Sequence, residues 1–304
     1  MRFALIDLGS NSARMTIAEI NGNTATTLLK RREMTRLRQG MEEDMRLKER
    51  PMERTLQALR AFATEAKEQN AVILAAATAA VRSAANGREF CDRVLAETGI
   101  QLHIISGQKE AELDFLGIMQ TLPEIENGLI VDTGGGSTEL ILFENRTLQE
   151  KISLPLGAAS LYEQANTLKK AEETVRQGLL QVPFLDRAAK KPLIGIGGSV
   201  CCLWTAEQYF TGAQTELGGA SLSPARAELL YQKLADMSPA ERIHAGIEPG
   251  RSETVCFGIL PCLTLLRQLS PPALSLSSSG LREGMLFTIL QHGIKNFKKN
   301  LELF

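Results

Sequence analysis

Asp7-Leu8-Gly9-Ser10-Asn11-Ser12 and Asp132-Thr133-Gly134-Gly135-Gly136-Ser137 share one pattern, Asp-x-Gly-x-x-Ser, at an offset of 125 residues. Each copy follows an apolar run, Phe3-Ala4-Leu5-Ile6 or Gly128-Leu129-Ile130-Val131. Each precedes another, Met15-Thr16-Ile17-Ala18 or Leu140-Ile141-Leu142-Phe143. Glu19 and Glu144 fall into the same register. So long a period indicates two related half-molecules rather than a short-period solenoid. Each copy reads as strand, tight polar turn, strand. Successive N–H groups in such a turn form an anion-binding concavity, and glycine lets a phosphate approach unhindered. Two such turns facing each other across a cleft would clamp a phosphate between domains.

Reading outward, residues 3–7, 14–20 and 23–31 form three successive strands, with Asn21-Gly22 as a hairpin turn. The spacing of Leu56, Leu59 and Phe62-Ala63 predicts a helix that Pro51 opens. A buried strand follows over 71–75, then a helix over 87–98, a strand over 101–105 and a helix over 107–121. The second half repeats the theme with strands near 128–132, 138–144 and 147–153, a helix over 171–181, a strand over 192–196, and helices to the end. Ser275-Leu276-Ser277-Ser278-Ser279 reads as a loop. Three antiparallel strands followed by alternating helices and strands describe an α/β protein with mixed sheets covered on both faces.

The 304 residues suffice for two domains, and the 44% hydrophobic and 23% charged shares are those of a globular protein. A net charge of −1 gives no bulk attraction to nucleic acid, so any anion site must concentrate basic groups locally. Five cysteines without paired spacing read as thiols in a reducing cytoplasm. Neither a signal peptide nor a membrane-spanning helix is expected. His103, His244 and His292 lack metal-ligand spacing.

The glycine run Gly134, Gly135, Gly136 with Ser137 is the stronger phosphate loop, because adjacent glycines cost chain entropy that a bare turn does not need. In the first loop Ser10, Asn11 and Ser12 supply side-chain donors instead. Asp7 and Asp132 stand at strand ends, where a carboxylate repels phosphate unless a cation intervenes. Mg²⁺ satisfies both, and the competing reading is that these carboxylates cap turns. The basic segment Lys30-Arg31-Arg32 to Arg36-Leu37-Arg38 reads as a solvated face.

The two loops resemble those of the exopolyphosphatase / guanosine pentaphosphate phosphohydrolase (Ppx/GppA) family, part of the actin–hexokinase–Hsp70 superfamily. Thr78-Ala79-Ala80-Val81-Arg82-Ser83, Ile105-Ser106-Gly107-Gln108-Lys109-Glu110-Ala111, Gly195-Ile196-Gly197-Gly198-Ser199, Pro249-Gly250-Arg251 and Gly280-Leu281-Arg282-Glu283-Gly284 resemble further family motifs, in family order. The resemblance implies two ribonuclease-H-like (actin-like ATPase) domains with an interdomain cleft. They would span 1–124 plus about 285–304, and 125–284, with a crossover from Pro123 to Asn127. It implies Glu110 as the catalytic base, Arg82, Arg251, Gly197 and Gly198 as phosphate contacts, and Glu139 as a third metal or water contact beside Asp7 and Asp132. Strand alternation from Asp132 leaves Glu139 facing solvent as the competing reading. Lys109 departs from the adjacent glutamates often found in relatives.

The implied activity is Mg²⁺-dependent release of terminal phosphate from inorganic polyphosphate or guanosine pentaphosphate. No specific nucleic-acid partner or membrane is expected, and a homodimer is plausible from the family. The alternatives are an ATP-dependent small-molecule kinase on the same scaffold and a non-catalytic nucleotide or polyphosphate sensor.

Overall fold

In the computed structural model, which describes residues 1–41, 44–165 and 167–301, and side chains through residue 294, the alternating runs around the first Asp-x-Gly-x-x-Ser become a meander. Strand β1 (Arg2–Leu8) pairs antiparallel with β2 (Ala13–Asn21), which pairs with β3 (Thr24–Glu33). The intervening turn falls at Gly22, whose φ of 60° suits glycine. Helix α1 (Glu49–Glu68), β4 (Ala71–Ala77), the short α2 (Ala79–Ser83), α3 (Gly87–Thr98), β5 (Leu102–Ile104) and α4 (Gly107–Thr121) follow. The sheet order is β3-β2-β1-β4-β5, with β4 parallel to β1 and β5 parallel to β4.

Strand alternation splits the buried residues of this sheet between two cores. Ala4, Ile6, Leu8, Met15 and Ile17 face Leu56, Leu59 and Phe62 of α1 and Phe90 and Val94 of α3. Phe3, Leu5, Leu74 and Ala76 face Leu113 of α4 and Leu281, Met285 and Ile289 of α11 (Leu281–Leu301). Asp7 shares the second face, two residues beyond Leu5.

The second meander repeats the first: β6 (Gly128–Thr133), β7 (Thr138–Glu144) and β8 (Thr147–Leu154) are antiparallel neighbours. The repeat extends to a defect. The β2–β3 ladder shifts register between Ile17 and Ala18, and the β7–β8 ladder between Leu142 and Phe143, 125 residues on. Next come α5 (Ala158–Ala165), α6 (Leu168–Leu179), β9 (Leu193–Ile196), α7 (Gly198–Thr211), β10 (Ser221–Leu222), α8 (Pro224–Asp236), α9 (Pro239–His244), α10 (Val255–Leu269) and β11 (Leu274–Leu276). The six-stranded order is β10-β11-β9-β6-β7-β8. Helix α10 buries thirteen of its residues and forms the centre of this core.

The expected run of helices after residue 196 is thus interrupted by β10 and β11, and Ser275-Leu276 belongs to a strand rather than a loop. Two- and three-residue strands are too short for an alternation signal. Residues Met1–Gly117 with those from Leu281 onward form one compact unit, and Ile118–Gly280 the other. Among the described residues no helix is long and apolar enough to cross a membrane. All five cysteines are free thiols. Burial pushes Cys256 up to about 11, and burial with the nearby Asp92 charge does the same for Cys91.

Helix α11 packs so closely on α4 that a Cβ added at Gly284 would lie 1.9 Å from the Leu113 carbonyl oxygen. That oxygen belongs to helical backbone and cannot rotate away. Gly284→Ala is expected to destabilise the protein by about 2–3 kcal/mol. Gly218→Ala, where a Cβ meets nothing within 4 Å, should change stability by less than about 0.5 kcal/mol. Urea unfolding of the two variants checks this, and equal midpoints contradict it.

Candidate active site

Both Asp-x-Gly-x-x-Ser turns close on the same bond, from Gly9 N–H to the Ser12 carbonyl and from Gly134 N–H to the Ser137 carbonyl, each 3.0 Å. In the first unit the turn's carbonyls are held from behind: Arg38 N–H donates to Ser10 O (3.0 Å) and Arg36 N–H to Asn11 O (2.9 Å). Ser10 and Ser12 are buried, Asn11 is half-buried, and the Ser10 hydroxyl has no hydrogen-bond partner among the described residues. A buried hydroxyl left without a partner costs free energy unless a ligand supplies one. The 30–38 segment is accordingly not a solvated face throughout. Lys30 and Arg31 are exposed, but Leu37 packs into the core with Leu56 and Leu59, and Arg38 is buried with its N–H on the loop.

Asp7 is half-buried and stands opposite Arg14 in the β1–β2 register. Among the described residues neither side chain has a hydrogen bond or ion pair, so Asp7 does not cap its turn. Arg282, in the first turn of α11, donates from Nη1 to Thr16 Oγ1 (3.0 Å), on the same sheet face. Burial lowers its pKa, with Glu283 and Asp7 opposing the shift, yet a guanidinium stays charged.

Arg82 and Glu110 meet in the same unit. Thr78 N–H bonds the Leu8 carbonyl (3.1 Å), which starts α2 at the end of β1 and sets Arg82 one turn on. Ser106 Oγ accepts from Lys109 N–H (3.1 Å), opening α4 with Glu110 in its first turn. Arg82 Nη1 lies 3.0 Å from Glu110 Oε2 and 2.8 Å from the Ile105 carbonyl. Glu110 is therefore an oriented carboxylate, not a solvated helix-start acid. Lys109 turns instead to Glu112 (3.1 Å). Arg82 also borders a cavity of about 880 Å³ with Arg88, His103 and Ser106.

In the second unit, the first N–H groups of α5 hold the turn. Ala158 N–H donates to Gly134 O (2.9 Å), Ala159 N–H to Gly135 O (2.8 Å), and the Ser160 hydroxyl to Gly136 O (3.2 Å). The N–H groups of Gly135, Gly136 and Ser137 bond no described acceptor. Gly157 makes the approach possible, since a Cβ there would lie 2.4 Å from Gly136 N.

Asp132 pairs in register with Glu139. Glu139 is 1% exposed and accepts from Ser153 Oγ (2.7 Å), so it does not face solvent: the covering layer on that sheet face reaches it. Gly197, at φ 87°, lies against Asp132, where a Cβ would sit 2.4 Å from Oδ1. Gly198 lies under the Arg251 guanidinium, 2.2 Å from Cζ by the same construction. Buried Arg251 pairs with Glu248 (Nε to Oε2, 3.1 Å). These two glycines thus seat Asp132 and Arg251 rather than form a bare turn.

Two carboxylates on paired strands suit a hard divalent cation such as Mg²⁺, which needs only one or two protein carboxylates and keeps several waters. No group of three or more His, Cys, Asp or Glu forms a metal-holding cluster among the described residues. Sequence reading missed Arg14 and the donors from α5. The repeat signalled the first, since Arg14 occupies the position matching Glu139; nothing local signalled the second.

The Ppx/GppA phosphatase family profile matches residues 16–292. An exopolyphosphatase from Cytophaga hutchinsonii superposes with a TM-score of 0.88 at 26% identity, over 96% of this chain and 98% of that one. A Ppx/GppA family member from Aquifex aeolicus superposes with a TM-score of 0.76 at 28% identity, over 99% of each. With both mixed sheets and the paired turns in place, the chain belongs to the Ppx/GppA phosphatase family.

Proposed function

We propose that the protein is a Mg²⁺-dependent phosphoanhydride hydrolase that releases terminal phosphate from inorganic polyphosphate or guanosine pentaphosphate. The observation that carries this reading is the duplicated turn with its carbonyls bonded from behind. In the second turn it leaves the N–H groups of Gly135, Gly136 and Ser137 as donors suited to phosphate oxygens, while an oriented Glu110 supplies a base. Family membership and the Cytophaga exopolyphosphatase likeness support the same class.

In this mechanism the N–H groups of Gly135, Gly136 and Ser137 are the phosphate-oxygen donors of the second unit, and the Ser10 and Ser12 hydroxyls those of the first. Glu110 accepts the proton of a water aligned with the terminal phosphorus. The oxygen–phosphorus bond forms as the bridging oxygen departs with the shortened chain. Arg82 fixes the Glu110 carboxylate through its 3.0 Å contact. Arg251 adds positive charge in the second unit. Mg²⁺, held through Asp132 and Glu139, would neutralise charge on the phosphate oxygens. Most of the rate then comes from positioning and charge neutralisation, with the base adding a smaller factor.

The deciding assay measures phosphate release from both substrates with Mg²⁺ and with chelator, beside transfer to sugar or acetate acceptors. Transfer without hydrolysis points to a kinase; binding without either points to a sensor. Glu110→Gln keeps the shape and removes the charge, so turnover should fall at least about a hundredfold while tripolyphosphate binding persists. Near-normal turnover removes Glu110 from the mechanism. Gly157→Ala drives a methyl into the Gly136 backbone. Tripolyphosphate affinity should fall at least about tenfold in a protein whose circular dichroism is unchanged. Unchanged affinity would mean the loop does not bind phosphate.

A further inference from the structure

The first turn is held by a bend that has no helix behind it. Arg38 N–H donates to Ser10 O and Arg36 N–H to Asn11 O, while Gln39 N–H closes the bend on Arg36 O (3.0 Å). Arg36 has φ 46°, in the left-handed region that a long side chain enters only at a cost. In the second unit the corresponding carbonyls are bonded by α5, which its own hydrogen-bond ladder stiffens. The bend lacks such a ladder, so a group outside it must hold Arg36 in that conformation.

Arg54, in the second turn of α1, is that group. Its Nε donates to Thr35 O (2.9 Å), and its Nη2 to Gln39 Oε1 (3.1 Å) and, at 3.5 Å, to Arg36 O. One planar guanidinium thus bonds the carbonyls on both sides of the Arg36 α-carbon and the side chain that ends the bend. Leu37 and Met41 share a core with Leu56 and Leu59 of α1, so helix and bend also meet through apolar contact.

We propose that Arg54 is the positioning residue of the first phosphate turn: its guanidinium locks the Thr35–Gln39 bend, whose N–H groups fix the Ser10 and Asn11 carbonyls. The identity of the ligand rests on the phosphoanhydride reading above; the locking does not.

Burial and the neighbouring Arg36 and Arg50 guanidiniums lower the Arg54 pKa, and among the described residues Arg54 makes no ion pair. Carbonyl and amide oxygens therefore hold it, and it stays charged. A charged donor makes a stronger hydrogen bond than a neutral one, and the fork spreads it over the bend. Without Arg54, Arg36 relaxes out of the left-handed region and the N–H groups of the bend leave the turn. The Ser10 and Asn11 carbonyls are then free to oppose the anion that the buried Ser10 hydroxyl would bind.

The test compares Arg54→Met with Arg54→Lys in the full chain, each checked by thermal unfolding. Its first readout needs no ligand: hydrogen exchange of the Arg36 and Arg38 amides should speed up about tenfold or more, while the β1–β4 ladder keeps its protection. The second is tripolyphosphate affinity by calorimetry. Arg54→Met should weaken it about tenfold. Lysine keeps the charge but not the fork, so Arg54→Lys should lie nearer to Arg54→Met than to the wild type. In a Ser10→Ala background the loss caused by Arg54→Met should shrink below about threefold, because the hydroxyl that the bend orients is gone.

Unchanged exchange at Arg36 and Arg38 overturns the proposal, as does equal acceleration throughout the first unit, which lost stability alone produces. Wild-type affinity in Arg54→Lys, or an undiminished loss in the Ser10→Ala background, also overturns it. A wild type that neither binds tripolyphosphate nor releases phosphate, with exchange loosened only at Arg36 and Arg38, removes the hydrolase reading and leaves Arg54 holding the turn.

Discussion

The carbonyls of Gly134 and Gly135 are held by the opening N–H groups of α5, and those of Ser10 and Asn11 by the backbone of Arg38 and Arg36. This bonding is the constraint from which the site follows. A turn folded on itself has donors and acceptors crowded together, and its acceptors would otherwise compete with any bound anion. Once a second segment takes the acceptors, the remaining N–H groups form a surface of one sign. The two halves reach this state by unrelated means: a helix N-terminus in one, an irregular basic segment in the other. What the duplication preserved is the electrostatic outcome and not the buttress.

Close approach without a Cβ recurs wherever these parts meet. Gly157 lets α5 touch its turn, Gly197 and Gly198 seat Asp132 and Arg251, and Gly284 lets α11 lie on the helix that carries Glu110. The last contact links the chain's end to its catalytic candidate. Leu281 and Met285 pack in the same core as Leu113, so the first turn of α11 is fixed by apolar burial. That burial places Arg282 against β2. A charged group is thus positioned mainly by hydrophobic packing, the stronger force per residue here.

The first three strands of each half and helices α1, α3, α4 and α6 were legible because alternation and helical spacing leave clear marks, whereas α2 and α5, of five and eight residues, were not read from the sequence. The register shift after Ile17, repeated after Leu142, is a backbone property with no residue signature. Strands β10 and β11 were invisible for want of length, and their pairing depends on partners far away in sequence. At the site, the turns, Arg82 and Glu110 were readable as residues, but their 3.0 Å ion pair was not. The competing reading that Glu139 faces solvent failed because alternation gives a face and not what covers it. Arg38 was read as part of a solvated face, but it is buried and its N–H bonds the Ser10 carbonyl, a contact that leaves no mark in the sequence.

The position that matters most to the chemistry is where the halves differ. A phosphoanhydride presents negative charge along its length, and a protein can answer with guanidinium groups or with a metal held by carboxylates. The two answers exclude each other at one spot: carboxylates numerous enough to hold Mg²⁺ repel bare phosphate, and arginines that bind phosphate repel Mg²⁺. Two identical halves would have to choose the same answer twice. The duplicated scaffold places Arg14 in the first unit where the second has Glu139, so the two matching turns stand beside opposite charges. The shared turns, whose N–H groups are neutral dipoles, are compatible with either. That compatibility explains why the turns could stay alike while the charges beside them diverged.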